Sequence, residues 1–445
     1  MSKRSFLTKE EHTEYLKKYD IHQGRAMFTI ILSILVDVFG YSMVLPLLPI
    51  IVTQLGSTPI FVGILVSSNA LSALVFGPIW GKLSDKYGRK PILIISQAGT
   101  GVSFLILAIS PNVFFILFSR VLDGVFGGQI PVIRAYIADI TTPSTRAQEM
   151  GKLMVGHTLG MIVGPVIGGL LGALDWRYPA FLASGLSIIA ITLTSKVLIE
   201  SMPEQRRIDL KLRIEAKKAN LHIVEKVLSK EIIIRLIQVF LLFAITVLFN
   251  SSASLVLFER YGASTTMIGL LLTVAGIMAM IYGGILMRPI IKKVGEKRVL
   301  IFAAFLIIFV FLIFPYLEEL WMLYILMIPF VFCMVFLPSL IQSNITKAVD
   351  PDKQGLVSGV STNVQSIAQI MSPLIGTGYI QIGGLSFGIF FLNSYELIGY
   401  TAVILGVGLV IMVLFDLKKH TNLYEYEVKR KLFEKSTKNP SAKKD

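Results

Sequence analysis

The sequence predicts an all-α, polytopic membrane protein: twelve transmembrane helices in two six-helix repeats, with both termini cytoplasmic. Three observations carry that expectation. Of 445 residues, 54% are hydrophobic and only 16% are charged, with a mean hydropathy of +0.72, whereas roughly a quarter of a soluble domain is charged. The apolar residues fall into runs of about 20, enough to cross a hydrocarbon core about 30 Å thick. The 42 Lys and Arg residues gather in the two tails and in alternate connections, and only Arg120, Arg134, Arg177 and Arg260 lie elsewhere. Such an asymmetry orients membrane helices with their basic connections in the cytosol. The net charge of +14 therefore sets topology and calls for no nucleic-acid partner.

Residues 1–26 form a polar, basic tail, and the apolar run after them is too long for the core of a cleaved signal peptide. Spans 1 to 6 cover 27–53, 60–80, 92–110, 113–138, 150–174 and 178–199, giving a first bundle over 27–199. The longest polar interruption, 200–232, divides the spans six and six. Within it Ile208, Leu212, Ala219, Ile223 and Val227 recur at near-helical spacing between basic residues, which predicts an amphipathic helix along the inner leaflet. Spans 7 to 12 cover 233–258, 266–287, 299–316, 320–345, 356–382 and 394–415, a second bundle over 233–416, and residues 417–445 make a basic cytoplasmic tail. The bundles read as copies. Gly77, Gly88 and Pro131 recur as Gly284, Gly295 and Pro338 at one constant offset. Pro143, Gly151, Pro165 and Gly168 recur as Pro351, Gly359, Pro373 and Gly376 at an offset one residue longer. Two repeats around a midplane site are a layout of secondary transporters.

Composition also excludes chemistry. The single cysteine, Cys333, permits no intrachain disulfide, and the five histidines are scattered, so no metal or cofactor is expected. No nucleophile–base constellation or phosphate-cradling loop is visible, which argues against an enzyme.

Three motifs carry a family resemblance. GKLSDKYGRK at 81–90 resembles the signature loop between helices 2 and 3 of the major facilitator superfamily, G-x-L-x-D-x-x-G-R-K/R, and its weaker echo RPIIKKVGEKR at 288–298 has Lys292 where the first copy has Asp85. The resemblance implies a one-sided conformational latch built from Gly81, Asp85, Gly88, Arg89 and Lys90, with Asp85 locking against helix 11 of the other half. In span 5, Gly151, Gly160, Gly164, Pro165, Gly168 and Gly169 match the superfamily's antiporter motif, G-x8-G-x3-G-P-x2-G-G. Gly160, Gly164, Gly168 and Gly172 predict a smooth face for close helix approach, with Pro165 bending the span. Span 1, with Asp37, Gly40, Pro46 and Pro49, is similar to that of twelve-helix drug/proton antiporters and especially tetracycline/proton antiporters, although the gap from Gly40 to Pro46 is five residues. ADITTPSTR at 138–146, containing Asp139 and Arg146, resembles the loop after helix 4 in that group and joins the latch set.

Ionisable groups inside a membrane are costly and are functional candidates by default. Asp37 sits about 15 Å into span 1 at about 1.5 Å per residue, and Arg120 reaches a similar depth from the other side. Arg120 and Gly124 resemble the helix 4 motif R-x-x-Q-G, whose Arg is implicated in proton coupling, with Asp123 in place of Gln. Asp37, Arg120 and Asp123 are the proton-coupling candidates, Asp123 having as its alternative an internal salt bridge with Arg120. Burial favours the neutral form of a carboxyl and an adjacent guanidinium favours the ionised form, so a pairing of Asp37 with Arg120 would let occlusion switch its charge. Arg134 is expected to snorkel, and His157 to play a hydrogen-bonded packing role. Asn69, Asn250, Gln342, Asn363, Gln365 and Gln369 are candidates to line a substrate cavity. The second half shows no buried acid comparable with Asp37, a departure from tetracycline pumps that argues against tetracycline itself.

The expected function is proton-coupled export of small apolar or cationic compounds by alternating access, by a monomer whose partners are substrate, protons and the bilayer. The alternatives are an importer or facilitator of a small metabolite and a lipid flippase on the same scaffold.

Overall fold

The computed structural model describes residues 9–205, 207, 230–349, 354–387 and 390–419. The amphipathic helix expected within 200–232 and most of the C-terminal tail fall outside these residues.

Among the described residues, twelve helical spans follow the predicted order. Span 1 is Gln23–Gln54, tightened to a 3₁₀ turn at Leu45–Leu47 where Pro46 and Pro49 interrupt the ladder. Spans 2 to 6 are Ile60–Tyr87, Arg89–Ala108, Val113–Ile140, Pro143–Gly172 and Arg177–Val197. Spans 7 to 12 are Lys230–Tyr261, Thr265–Val294, Glu296–Tyr316, Leu320–Lys347, Gln354–Ile382 and Ser394–Lys419. Eleven of these are long and apolar enough to cross a membrane. Span 11 is the exception, because Ser361, Thr362, Asn363, Gln365, Ser366 and Gln369 interrupt its apolar face. The tail contributes a helix at Lys9–Lys18, and a two-stranded hairpin, β1 Gly384–Phe387 and β2 Phe390–Asn393, joins spans 11 and 12.

Local chemistry sets the ends. Gly88 and its repeat Gly295 adopt φ of 105° and 94°, a conformation costly for other residues, and so separate spans 2 and 3 and spans 8 and 9. Asn112 starts span 4 by accepting from the Phe114 and Phe115 amides, each at 3.1 Å. Asn393 and Glu396 form a reciprocal capping box on span 12.

The chain packs as two compact units. Unit 1 holds spans 1–6 together with residues 250–277 and 369–385. Within it, the Ser67 hydroxyl of span 2 donates to the Ile370 carbonyl at 2.7 Å, and Gly63 packs on Pro373 and Thr377. Gly169 of span 5 likewise abuts Thr265 and Gly269. Two apolar clusters fill unit 1, one around Met43, Leu65 and Phe104, the other around Ile30, Tyr136 and Leu153. Unit 2 is organised by an aromatic cluster in which Phe249 meets Phe311, Phe314 and Phe330 with ring centroids 4.8–5.4 Å apart.

Candidate functional site

The site is built where span 4 stops being a helix. Its first piece ends at Phe126 and its second starts at Ile130, leaving Gly127, Gly128 and Gln129 between. Pro131 has no N–H to give back along the ladder, but proline alone does not explain the break. Its repeat, Pro338, lies inside the unbroken helix of span 10, where Met334 and Val335 stand at the positions of Gly127 and Gly128. The glycine pair makes the difference: Gly128 packs on Gly77, and a Cβ there would lie 3.0 Å from the Gly77 Cα. The freed carbonyls are caught by neighbours. The Trp80 indole donates to Val125 O at 2.5 Å, and the Ser96 hydroxyl donates to Phe126 O.

Just before the break, the buried Asp123 carboxylate accepts from Arg120 Nη1 at 3.2 Å and from Asn69 Nδ2 at 2.9 Å, with the Ser103 hydroxyl at 3.5 Å. Asn69 also donates to Arg120 O at 3.1 Å, and the guanidinium lies 5.4 Å from the Phe104 ring centroid. Arg120 is thus engaged with Asp123 rather than with Asp37, so the switch expected from an Asp37–Arg120 pair takes a different form. Asp37 is half-buried, with Asp123 and Gln129 as its electrostatic neighbours.

The second repeat supplies an internal comparison. At the offset relating Pro131 to Pro338, the partners of Asp37, Asn69, Arg120, Asp123 and Gln129 are Ala244, Gly276, Met327, Phe330 and Phe336, and those of Gln97, Thr100 and Ser103 are Ala304, Ile307 and Val310. None of these replacements is polar or ionisable. The scaffold therefore does not need polarity at these positions, and the first repeat keeps it for another reason. Gln97, Thr100, Ser103 and Gln129 escaped the reading of single residues; comparison of the repeats position by position finds them.

Most of the residues expected to form a latch also come together. Arg89 is buried and pairs with Asp85 at 2.6 Å and Asp139 at 3.3 Å, while its Nη1 donates to Ser84 Oγ at 2.5 Å. Arg146 donates to Ala138 O at 2.9 Å. Lys90 contributes its backbone: the amides of Arg89 and Lys90 donate to the Glu200 carboxylate at 2.8 and 3.0 Å, capping span 3, and Glu200 closes against Gly88. Ser201 donates to Asp139 at 3.1 Å. Glu200, assigned by sequence to the linker, is a working part of this turn; its position one turn after span 6, facing a helix N-terminus, is the signal. Gly81 has nothing within 4 Å of where a side chain would begin.

In span 5, the glycine face packs on span 1. Gly160 meets Val38 and Leu35, Gly164 meets Ser42 and Phe39, Gly168 meets Met43, and Gly172 meets Leu47. The helix is continuous through Pro165. Gly169 faces residues of span 8, and Gly151 faces open space. Arg134 is exposed, and His157 is half-buried with no hydrogen-bond partner among the described residues. Of the amides, only Asn69 joins the acidic cluster. Gln342 and Gln365 meet Ser361, each at 3.5 Å, and Asn250, Asn363 and Gln369 are exposed.

One expectation is corrected. The second half does bury an acid: Asp416 and Arg235 are both 0% exposed, with Nε and Nη2 of Arg235 at 3.1 and 3.4 Å from the carboxylate and Nη1 donating to Asn344 O at 2.8 Å. Span 12 continues past the predicted end at 415, and that extension carries Asp416 into the packed interior.

Comparison with known proteins agrees with this architecture. The family model described as Major Facilitator Superfamily matches residues 30–373 and 249–435. The class C tetracycline resistance protein of Escherichia coli is 31% identical, over 80% of this chain and 89% of its own. Multidrug resistance protein 2 of Bacillus subtilis (strain 168) is 27% identical, over 91% of this chain and 98% of its own. Among solved structures, a bacterial homologue of the human lysosomal transporter Spinster superposes with a TM-score of 0.70 at 13% identity, covering 89% of this chain and 97% of its own. The nucleoside transporter NupG superposes at 0.67 and 15%, covering 88% and 99%. A family model spanning most of the chain and a relative above 30% identity along most of its length lead to one conclusion: the chain belongs to the Major Facilitator Superfamily.

Proposed function

We propose that the protein is a proton-coupled exporter of small apolar or cationic compounds, working by alternating access in the cell membrane with both termini cytoplasmic. The carrying observation is a charge count. Two carboxyls, Asp37 and Asp123, lie in electrostatic reach of each other, and the one guanidinium beside them, Arg120, is committed to Asp123. An uncompensated charge within a membrane span is costly, and this cluster reaches neutrality when it holds one proton. A cationic substrate can replace that proton. The relatives named for tetracycline and multidrug resistance support the export direction.

In this reading the bundles at 27–199 and 233–416 rock about the membrane midplane. Asn69, Asn250, Gln342, Asn363, Gln365 and Gln369 line the substrate path, and the Asp85–Arg89–Asp139 turn latches one state. Gly151, Gly160, Gly164, Pro165, Gly168 and Gly169 set the span 5 contact that the rocking requires, and the protein acts as a monomer. The test is a compound screen for collapse of a pH gradient in inverted vesicles. Compound-dependent collapse that disappears in Asp37→Asn supports the proposal, and inward accumulation of a nutrient overturns it.

A further inference from the structure

We infer that the break in span 4 holds a buried cluster of ordered water that joins Asp37 to Asp123 through Gln97, Thr100, Gln129 and Arg120. Its place in proton coupling rests on the exporter reading, but the site itself does not.

Four side chains around the break are almost wholly enclosed: Gln97 is 4% exposed, Thr100 3%, Arg120 3% and Gln129 1%. Seven of their polar atoms find no partner among the described residues, namely both amide atoms of Gln97 and of Gln129, the Thr100 hydroxyl, and Nε and Nη2 of Arg120. Buried polar groups in native proteins are satisfied by protein or by water, and irregular backbone at membrane depth persists where protein or water serves it.

These groups share one seam. Ser96 at one end of a face of span 3 bonds Phe126, and Ser103 at the other end approaches Asp123. Thr100 lies between those anchors on the same helix face, and Gln97 sits one turn before it at the edge of that face. Gln129 ends the break, near Asp37 but without a well-formed hydrogen bond. At the Arg120 end of the cluster alone, a cavity of about 10 Å³ lined by Arg120, Tyr41, Asn69 and four apolar residues has room for about one water. The second repeat has apolar residues at all the matching positions and an unbroken helix, so the repeat that lacks the polar seam also lacks the break.

Water there gives each orphaned amide and hydroxyl a partner and links the two carboxyls. A bridging water accepts a proton from one carboxylic acid as it gives one of its own to the other carboxylate, so charge moves and the water is unchanged in composition.

The test uses volume-matched apolar replacements in the purified full chain: Gln97→Leu, Thr100→Val, Gln129→Leu and the Gln97→Leu/Gln129→Leu double variant, each read by thermal unfolding. If the groups are dry and unpaired, removing them relieves a penalty, and the melting temperature rises. If they hold shared water, each single replacement strips a partner from that water and lowers the melting temperature, and the double variant falls by less than the sum of the singles. The inference expects the second pattern, together with ordered density within hydrogen-bond distance of Gln97 and Gln129 in a high-resolution map. A rise in melting temperature overturns it. So does wild-type stabilisation that saturates with sodium but not with choline at fixed ionic strength, because the oxygens would then hold a cation. Neither readout depends on transport, so failure of the exporter reading leaves this result interpretable.

Discussion

Replacing Gly164 with alanine adds one carbon where spans 1 and 5 touch. The new Cβ meets the Ser42 hydroxyl and lies 3.0 Å from the Ser42 Cβ and from the Phe39 carbonyl oxygen. Ser42 can turn away only by giving up its 2.9 Å bond to Gly160 O, a loss of about 1 kcal/mol. The Phe39 oxygen is backbone and moves only with span 1, and overpacking of this kind costs about 1–3 kcal/mol. Alanine returns about 1 kcal/mol of helix propensity, so the expected net loss is about 1–3 kcal/mol. Gly151→Ala is the control in the same helix: with nothing within 4 Å, it keeps the propensity gain of about 1 kcal/mol and opposes no neighbour. The two variants should therefore separate by about 2–4 kcal/mol in thermal unfolding of detergent-purified protein. Efflux should fall for Gly164→Ala and hold for Gly151→Ala. Adding Ser42→Ala to Gly164→Ala should recover part of the loss, since the clashing hydroxyl is gone. A Gly164→Ala protein that melts with or above Gly151→Ala would refute the close-packing account of the glycine face.

Three further outcomes follow from the same geometry. Glu200→Ala removes the cap on the Arg89 and Lys90 amides; amide exchange at the start of span 3 should accelerate, with a stability loss of about 1–2 kcal/mol, and unchanged exchange there would mean that the cap is idle. Asp416→Asn leaves the Arg235 guanidinium buried without its counter-charge and should destabilise by about 3–5 kcal/mol, whereas Arg235→Met with Asp416→Leu should recover most of it; a double variant as unstable as the single contradicts this. Asp85→Asn removes an ion pair whose acid is 40% exposed, so stability should change by less than about 1 kcal/mol while efflux slows, and wild-type efflux would leave the turn a topological role only.

The fold was legible in the sequence because its determinants are local: apolar run length, the placement of Lys and Arg, and glycines at the span 2–3 and span 8–9 turns. The ends of elements were less so. The predicted stop at 415 and the assignment of Glu200 to a linker both failed to see packing partners distant in sequence, Arg235 for Asp416 and the span 3 N-terminus for Glu200. The acids of the site could be named one by one, because a charge in an apolar run stands out. Two partners for Arg120 could be named, Asp37 and, as the alternative, Asp123, but the choice between them could not be made. Arg120 chooses Asp123 over Asp37 because Asp123 lies one turn away on the same helix, and Gln97, Thr100 and Gln129 look like ordinary helix-gluing residues until the repeats are laid over each other. The break in span 4 was hidden for the same reason, since a proline at the matching position of span 10 leaves that helix whole.

The central claim is that the Asp37–Asp123–Arg120 cluster carries one exchangeable proton that substrate displaces. The direct measurement is proton release on adding a transported cationic compound to purified, weakly buffered protein, with wild type compared against Asp37→Asn and Asp123→Asn. With Arg120 held by Asp123, the account predicts about one proton released per compound bound in wild type and none in Asp37→Asn. Asp123→Asn leaves Asp37 opposite a freed Arg120, a pair that is neutral without a proton, so its release should also fall. Full release from Asp37→Asn with none from Asp123→Asn would contradict the account and make Asp123 the carrier.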